Sequence, residues 1–495
     1  MLTSRFNTTI LSACILSLFV VSLFLWSPLY HSSQDAGALS PQDGRPLYPH
    51  NRPTERPIES APTARLKQAQ AIIRKANKVA ESPIEAPYKD KFAALGHLAR
   101  SSRKWVQFLD AAPKSEDTHV LQESIEGAIA TLFPYLLHSP RHPGSTTPFS
   151  DLRDSFHKGS RGIVIPTGKS TMRFAAHLIS AVQNVLKSDL PIMVVYAGDT
   201  DFPKAEREKL QSRFKNVAFM DILTVVDDST LKLEKGGWAI KAFAALYAPF
   251  EEVILADADC VFAQQPEVLY KHPLYAETGA LLFHDRLLWQ HAFRDRHEWW
   301  QSQIEHPSAT LNKSLVWTED YAEEGDSGIV VLDKGRLDVL MGLLHIAWQN
   351  TKDVRDEVTY KLGHGDKESW WFGLELTGAN YAFEKHYGAM IGWPSTDDTK
   401  EGEYKVCSFY IGHVDAEDQL LWYNGGLLKN KQVDALEFGQ PTHLMFDGTW
   451  HKGGNKAKES CMDGSRAKEI PEEVKAIFEQ SVTLAKELDT ELGLV

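Results

Sequence analysis

The sequence predicts an α/β protein built on a mostly parallel sheet that is flanked by helices. From residue 156 onward, short apolar runs alternate with amphipathic helical segments, which is the pattern of strands covered by helices on both faces of a sheet. One apolar run, residues 253–256, ends directly in two acidic residues. Ligands bind such sheets at the carboxyl ends of the strands, so these acids mark the expected binding edge.

Length and composition exclude several classes of protein. The 495 residues are enough for two or three domains, or for one large domain with attached segments. Hydrophobic residues make up 43% and charged residues 24% of the chain, which excludes wholesale disorder and a multi-span membrane protein. The formal net charge of −13 argues against a general nucleic-acid-binding protein, so no nucleic-acid partner is expected.

Residues 10–28 are predicted to be a transmembrane signal anchor. This stretch carries no charged side chain and is almost continuously apolar, and a hydrocarbon core of about 30 Å needs about 20 such residues. Arg5 precedes it, so residues 1–9 are expected to be a cytoplasmic tail and the rest of the chain lumenal. The alternative is a cleaved signal peptide, because residues 36–38, Ala-Gly-Ala, have the small side chains of a cleavage site.

Residues 29–155 are predicted to form a lumenal stem. Prolines recur through residues 32–62 and prevent a persistent helix or central strand, which is typical of a linker. Residues 64–81, 89–111 and 118–138 then show apolar residues at helical spacing, so a helical neck is expected after the linker.

A folded domain is predicted over residues 156–460, followed by a C-terminal helix in residues 461–495. Its strands are short apolar runs, and its helices repeat apolar residues at every third or fourth position. In chain order we expect strand 162–165, helix 172–186, strand 192–196, helix 204–214, strand 217–222, helix 239–247, strand 253–256, strands 280–283 and 329–332, and helix 472–492.

The lumenal cysteines allow one disulfide. Cys14 lies in the predicted anchor, which leaves Cys260, Cys407 and Cys461. Cys407 with Cys461 is the expected pair because Cys260 lies in an apolar strand context, and three buried free thiols are the alternative.

Asp257 and Asp259 carry the sharpest chemical signal of the sequence. They follow a buried strand and are separated by one small residue, so strand alternation or a slight bend can point both carboxylates the same way. Paired carboxylate oxygens suit Mg²⁺ or Mn²⁺ that bridges two phosphates. Such a metal would neutralise a diphosphate as it departs from a sugar carbon. The alternative is a pair of solvated aspartates in a turn.

Several segments, in this order, resemble the fungal Golgi α-1,3-mannosyltransferases, which are glycosyltransferases of the GT-A type. The segments are GIVIPT at residues 162–167, LPIMVVYAGDTD at 190–201, GGWAIK at 236–241, ILADADCVFAQQPEVLY at 254–270, GDSGIVVLDK at 325–334, HGDKESWWFGLEL at 364–376 and LLWYNGGLLKNK at 420–431. The resemblance covers about residues 161–452. It implies a GT-A-like fold, a catalytic glycosyltransferase domain over residues 156–460, and a type II protein of the Golgi membrane with a lumenal catalytic domain.

The resemblance also implies a reaction and a set of site residues. The donor would be GDP-mannose, the metal Mn²⁺ and the acceptor a mannose hydroxyl of a glycan, with other Golgi glycosyltransferases as further partners. The α-linked donor and the expected α-1,3 product imply retention of configuration. Asp257 and Asp259 inherit the metal and diphosphate role, Thr167 and Gly168 would lie against the guanosine, and Trp238 and Lys241 would face the donor.

Three acids and three histidines are left as competing candidates for the remaining roles. Retention needs either a carboxylate nucleophile or attack on the face that the leaving group vacates. Asp326, Asp366 and Glu368 are candidates for that nucleophile or for holding sugar hydroxyls, and the sequence does not choose among them. For a third metal ligand, His413, His443 and His451 compete, and we expect His451. Two alternatives stay open for the whole chain: an enzyme that uses another sugar nucleotide, and a catalytically silent glycan-binding relative.

Overall fold

Two β-sheets organise the part of the chain that the structure, a computed structural model, describes: residues 61–113, 116–396 and 402–495. Over Ser60–Val495 the chain forms one compact unit. The strands are β1 (His157–Pro166), β2 (Ile192–Tyr196), β3 (Val217–Asp221), β4 (Phe250–Ala256), β5 (Cys260–Phe262), β6 (Ala280–His284), β7 (Gly325–Asp333), β8 (Ala382–Phe383), β9 (Ala389–Ser395), β10 (Tyr404–Val414), β11 (Leu420–Asn424), β12 (His443–Met445), β13 (Thr449–His451), β14 (Ser460–Gly464) and β15 (Lys468–Glu469).

Helices cover the first sheet and extend to both ends of the described chain. They are α1 (Ala61–Ala80), α2 (Phe92–Asp110), α3 (Glu116–Leu132), α4 (Pro148–Asp154), α5 (Met172–Ser180), α6 (Gly198–Asp201), α7 (Lys204–Arg213), α8 (Asp228–Leu231), α9 (Ile240–Tyr247), α10 (Glu267–Tyr270), α11 (Pro273–Thr278), α12 (Arg294–Gln303), α13 (Leu315–Glu319), α14 (Leu337–Gln349), α15 (Lys352–Val354), α16 (Tyr360–Leu362), α17 (Lys367–Thr377) and α18 (Glu472–Leu492).

The first sheet confirms the predicted α/β class. Its strand order is β3-β2-β1-β4-β7-β6-β8. The strands β3, β2, β1 and β4 are parallel, whereas β7 runs antiparallel to both β4 and β6. Because of this reversal, β7 begins at the edge where β1, β2 and β4 end. The Asp257 N–H donates to the Gly328 carbonyl at 2.8 Å and joins the two strands at that edge.

The elements expected over the first sheet are present, with one change. All six predicted strands are found, from β1 to β7. The helix expected over residues 172–186 is α-helical only to Ser180 and continues as a π-helical turn over Ala181–Val185. A sequence pattern of apolar spacing does not distinguish one wide turn from the regular helix that precedes it.

The second sheet is antiparallel and was not expected from the sequence. Its strand order is β13-β14-β10-β9-β12-β15, and β11 pairs with both β10 and β5. Since β5 begins directly after Asp259, the β5–β11 pairing connects the acidic edge of the first sheet to the second sheet. The Cys407–Cys461 disulfide joins β10 to β14, which confirms the expected pair, and Cys260 is a buried free thiol.

The helices predicted as a neck form and pack on the sheet domain. Phe92 of α2 lies among the rings of Trp299, Trp348 and Phe372, with centroid distances of 4.9–5.9 Å. The Tyr135 hydroxyl donates to the Leu344 carbonyl at 2.6 Å. These helices therefore belong to the same compact unit as the first sheet.

The predicted ends of the chain have different outcomes. The anchor expected at residues 10–28 and most of the proline-rich linker lie outside the described residues. Within the described ranges, no helix is long and apolar enough to span a bilayer. At the C-terminus, β14 and β15 occupy the start of the segment 461–495 that was assigned to a helix, and α18 follows over the expected residues.

Candidate active site

Asp257 and Asp259 lie at the carboxyl end of β4, as the sequence predicts. Their side chains are 28% and 22% exposed, so both carboxylates are partly open to solvent. A tight turn separates them, closed by the Cys260 N–H that donates to the Asp257 carbonyl at 3.0 Å. The two acids therefore both project from the sheet edge, with only Ala258 between them in the chain.

Lys241 fixes the first of these acids from inside the protein. Its ammonium is buried and lies 2.9 Å from Asp257 Oδ1 and 3.2 Å from Asp366 Oδ2. It also donates to the Ser327 carbonyl at 2.7 Å. Burial alone would lower the pKa of Lys241, but the two carboxylates raise it above its ordinary value. Lys241 is thus a fixed positive charge beneath the acidic edge, rather than a solvated cation.

A basic cavity adjoins the second acid. Lys431 forms an ion pair with Asp259 and also lines a cavity of about 410 Å³. Although the chain carries a net charge of −13, the described residues that line this cavity include six cations and no acid. The cations are Arg286, Lys429, Lys431, Lys452, Lys456 and Lys458. Such a concentration of positive charge suits a polyanionic ligand.

Asp326 is buried at the start of β7. It accepts a hydrogen bond from the Gly328 N–H at 2.9 Å, and His413 Nε2 lies 3.0 Å from its other oxygen. Burial by itself would raise the pKa of Asp326, but His413 and the charge of Lys367 hold it well below its usual range. Asp326 is therefore ionised. His413, which was one of the three histidines considered as a metal ligand, is committed to this acid.

Asp366 and Glu368 are also buried, and each is held by a tryptophan. Trp370 Nε1 donates to Asp366 at 2.7 Å, and Trp371 Nε1 donates to Glu368 at 2.6 Å. Burial raises the pKa of Glu368 to about 8. The two indoles are core residues that orient these acids, and this role has no signal in the sequence.

Asp285 and Lys367 are a charged pair at this edge that sequence reasoning missed. Asp285 directly follows β6, is buried, and pairs with Lys367 and with Arg286 Nε at 3.1 Å. Burial would raise the pKa of Asp285, but the two cations lower it below its usual value. An acid directly after a buried strand is the same pattern that singled out Asp257, so a usable signal was present.

Thr167 and Gly168 lie at the carboxyl end of β1, where they were expected. The Thr167 N–H donates to the Val195 carbonyl of β2 at 2.9 Å. At Gly168 a Cβ atom would lie 2.2 Å from Asp201 Oδ1, so a larger residue would displace this carboxylate. The ends of β1 and β2 thereby form one continuous wall.

Trp238 is half exposed beside the buried Lys241. Its ring lies 5.2 Å from the His364 ring. Gly365, at φ +66°, packs so closely that a Cβ atom would lie 2.6 Å from the indole. The exposed indole therefore rests on the backbone that leads into Asp366.

His451 is not brought to the two acids. It is exposed, and its Nε2 lies 3.2 Å from Asp463. Among the described residues, no three His, Cys, Asp or Glu side chains are grouped to hold a metal. Asp257 and Asp259 nevertheless fit a hard divalent cation, because Mg²⁺-type sites commonly use one or two carboxylates and complete their coordination with phosphates and water.

Comparisons with known proteins show the family to which the chain belongs. A family model for mannosyltransferases, Mannosyl_trans3, matches residues 160–415, just over half of the 495 residues. The alpha-1,3-mannosyltransferase MNT3 of Saccharomyces cerevisiae is 30% identical over 294 residues, which covers 52% of this chain and 45% of that relative. MNT2 of the same yeast, also an alpha-1,3-mannosyltransferase, is 25% identical over 303 residues and covers 54% and 52%.

A further relative matches over a shorter stretch. The alpha-1,2-mannosyltransferase MNN23 of Candida albicans is 26% identical over 135 residues, 26% of this chain and 22% of that relative. The chain spans about half the length of MNT3 and MNT2. A crystal structure of the galactosyltransferase LgtC with donor and acceptor sugar analogues covers 45% of this chain and 73% of its own at 12% identity, with a TM-score of 0.29, too low to carry an argument.

The chain belongs to the Mannosyl_trans3 family of mannosyltransferases, whose model matches more than half of its residues. The resemblance to fungal mannosyltransferases noted in the sequence is thereby confirmed.

Proposed function

We propose that this glycosyltransferase moves mannose from GDP-mannose to a mannose hydroxyl of a glycan and forms an α-1,3 linkage with retention of configuration, in a Mn²⁺-dependent reaction. One observation carries the proposal: two partly exposed carboxylates stand beside a cavity that six cations line. A nucleoside diphosphate has the charge that this cavity suits, and the family and the two yeast relatives favour mannose as the sugar.

Asp257 and Asp259 would hold the divalent cation, which when bound supplies positive charge to the departing nucleoside diphosphate. The lysines of the basic cavity bind the phosphate oxygens and neutralise the charge that develops on them, which is the largest electrostatic demand of the reaction. Lys241 holds Asp257 in place from beneath. The wall at Thr167 and Gly168 would receive the guanosine.

The burial of the three candidate acids bears on the stereochemistry. Asp326, Asp366 and Glu368 are only 3%, 2% and 5% exposed, and each is hydrogen bonded inside the protein. A nucleophile has to reach the sugar carbon, so this burial favours attack of the acceptor hydroxyl on the face that the diphosphate leaves over a covalent intermediate.

We assign the protein to the Golgi membrane, with a type II anchor at residues 10–28 and a lumenal catalytic domain. The acceptor would be a mannose-containing glycan of the secretory pathway, and other Golgi glycosyltransferases are the expected partners. These assignments rest on the charge-free segment of the sequence and on the resemblance to the Golgi family.

A donor screen tests the proposed reaction. The full chain is incubated with Mn²⁺ and with GDP-mannose, UDP-glucose or UDP-galactose, and release of the sugar is measured with and without a mannoside acceptor. We expect turnover of GDP-mannose and of neither UDP-sugar. Asp257→Asn and Asp259→Asn should each lower kcat/KM at least about a hundredfold, equivalent to about 2.7 kcal/mol of transition-state stabilisation, and chelation with EDTA should do the same.

Asp154→Asn is the matched control, because Asp154 is an exposed acid at the end of α4. It should leave turnover unchanged. Full activity of either edge variant, or activity that resists EDTA, would contradict the metal assignment. Use of a UDP-sugar in place of GDP-mannose would contradict the donor.

A further inference from the structure

A groove of about 400 Å³ lies on the surface between α12 and α16. Its lining includes His291, Phe293, Arg294, Arg296, Lys361 and Leu362, and we name it the aromatic groove. A short stretch of chain joins each of its walls to the candidate active site. One wall starts at His291, six residues after Asp285, and the other ends at Leu362, four residues before Asp366. Six residues span at most about 22 Å.

Exposed aromatic rings stand along this groove. Phe293 is 43% exposed, and Trp289, whose ring centroid lies 6.4 Å from that of Phe293, is 49% exposed. Among the described residues, the tryptophans with large exposure are Trp289 and Trp238, and Trp238 packs on His364, two residues beyond Leu362. Exposed rings forgo the hydrophobic stabilisation of burial, so their concentration beside the site points to a ligand.

The loop that carries Trp289 is held in a strained and fixed conformation. Trp289 and His291 have left-handed backbone at φ 51° and 63°, a region that non-glycine residues avoid. The His291 N–H donates to the Asp320 carbonyl at 2.7 Å, and the Gln290 side chain donates to the Glu319 carbonyl at 2.9 Å. Such strain persists only where the surrounding structure imposes it, and it is concentrated at functional sites.

Phe293 is fixed by a buried charge. The Arg296 guanidinium lies 4.6 Å from the centre of the Phe293 ring and 4.8 Å from that of Trp300, and Arg296 Nη1 donates to the Leu362 carbonyl at 3.0 Å. Arg296 therefore ties the two walls together beneath the ring. The exposed part of Phe293 is available to a ligand without rearrangement, which reduces the entropy cost of binding.

From this arrangement we infer that the sugars of the glycan acceptor beyond the one that receives mannose lie along the aromatic groove, on Phe293 of its lining and on the neighbouring Trp289. The inference rests on the proposed function and adds to it the place where the acceptor binds. Separate rings flanked by Arg294 and Lys361 suit a chain of sugars, which offers apolar ring faces and many hydroxyls. A protein partner would more commonly find one contiguous apolar patch.

Two acceptors of different length test the inference. The full chain and its Trp289→Ala and Phe293→Ala variants are given GDP-mannose with methyl α-mannoside or with an α-linked mannotetraoside. We expect each variant to lose at least tenfold in kcat/KM for the tetraoside, through KM. For methyl α-mannoside, and for hydrolysis of GDP-mannose without acceptor, we expect values within twofold of the wild type. Tyr404→Ala is the matched control, because Tyr404 is 54% exposed on β10 outside the groove, and it should change none of these values.

Equal losses on both acceptors, or wild-type use of the tetraoside by both variants, would overturn the inference. Calorimetric binding of the tetraoside without donor separates it from the proposed function. If the wild type binds the tetraoside and Trp289→Ala does not, the groove stands even when GDP-mannose is not turned over, in which case the proposed function fails. If GDP-mannose is turned over and both proteins bind the tetraoside equally, the groove alone fails.

Discussion

Glu368 is an acid that the fold keeps protonated at neutral pH. Burial raises its pKa to about 8, from an ordinary value of 4.5, and the charge of Arg296 opposes this rise only in part. Glu323 and Glu324 are further acids nearby that also raise it. The hydrogen bonds from Trp371 Nε1 and from the Glu324 N–H orient the carboxyl group. Its uncharged state at neutral pH makes Glu368 a poor nucleophile at this edge.

The Glu368→Gln variant should reveal this proton in the stability of the protein. Between pH 4.5 and about 8 the native state retains a proton that the unfolded state has released, so the free energy of unfolding of the wild type falls as pH rises. The fall is at most about 1.4 kcal/mol per pH unit for one group. Glutamine has no such proton, so urea unfolding from pH 5 to pH 8 should show the variant gaining stability relative to the wild type. Glu298→Gln is the control, because Glu298 is an exposed acid of α12, and its stability should follow the wild-type dependence on pH. If Glu368→Gln also follows the wild-type dependence, Glu368 does not keep a proton in the native state.

The residues of the site differ in how far the sequence predicts them. Asp257 and Asp259 were found because a buried strand ends in them, and strand ends are visible in a sequence. Lys241 was expected to face the donor, but in the structure it is buried between Asp257 and Asp366. That pairing joins two segments more than a hundred residues apart in the chain, and no local pattern encodes such a distance.

At the scale of elements, the Cys407–Cys461 bond holds the strands that form one side of the basic cavity. It links β10 to β14, and β14 pairs with β13. Trp450 is part of β13, and Lys452 directly follows this strand. Trp450 and Lys452 both line the cavity. The disulfide therefore stabilises the part of the second sheet that adjoins the candidate donor site.

Removal of this bond should cost both stability and ligand affinity. The double variant Cys407→Ser/Cys461→Ser releases a loop of sequence separation 54, and the chain-entropy relation gives a loss of about 4 kcal/mol in the free energy of unfolding. Urea unfolding measures that loss, and calorimetry with GDP should show weaker binding because β13 is less well held. Reduction of the wild type should reproduce both effects and should add nothing to the variant. An unchanged midpoint would contradict this role.

The two sheets show what sequence patterns do and do not predict about elements. The strand β2 is an uninterrupted apolar run, and β4 ends in one over residues 253–256. Both are central strands of a sheet with both faces covered, so they were readily predicted. In the second sheet, β13 and β15 are only three and two residues long. Strands this short exist through their partners rather than through their own pattern, and a single sequence gives no register for them.

At the scale of the whole molecule, α18 joins the two sheets. Phe478 packs on Tyr423 of the second sheet, with ring centroids 5.4 Å apart, whereas Leu488 belongs to the core of the first sheet. Near the end of this helix, Asp489 accepts from Arg173 Nε at 3.0 Å and lies 2.8 Å from His177 Nε2. The last helix of the chain therefore fastens to α5, the first helix after β1.

The Asp489→Asn variant should weaken the whole unit, because it leaves the nearly buried Arg173 guanidinium without its counter-charge. Breaking a buried ion pair from one side costs about 3–5 kcal/mol, so the urea midpoint should fall in a single transition that fluorescence and circular dichroism report together. Arg173 also donates to the Ala435 carbonyl at 2.7 Å, in the loop that carries Lys431, so KM for GDP-mannose should rise more than kcat falls. Glu491 lies on the same helix as Asp489 and forms an exposed ion pair with Arg213 of α7. Its replacement in Glu491→Gln should cost at most about 1 kcal/mol. If Asp489→Asn is no more harmful than Glu491→Gln, the Arg173–Asp489 pair does not stabilise the unit, and the contact between α18 and α5 has no part in positioning the donor.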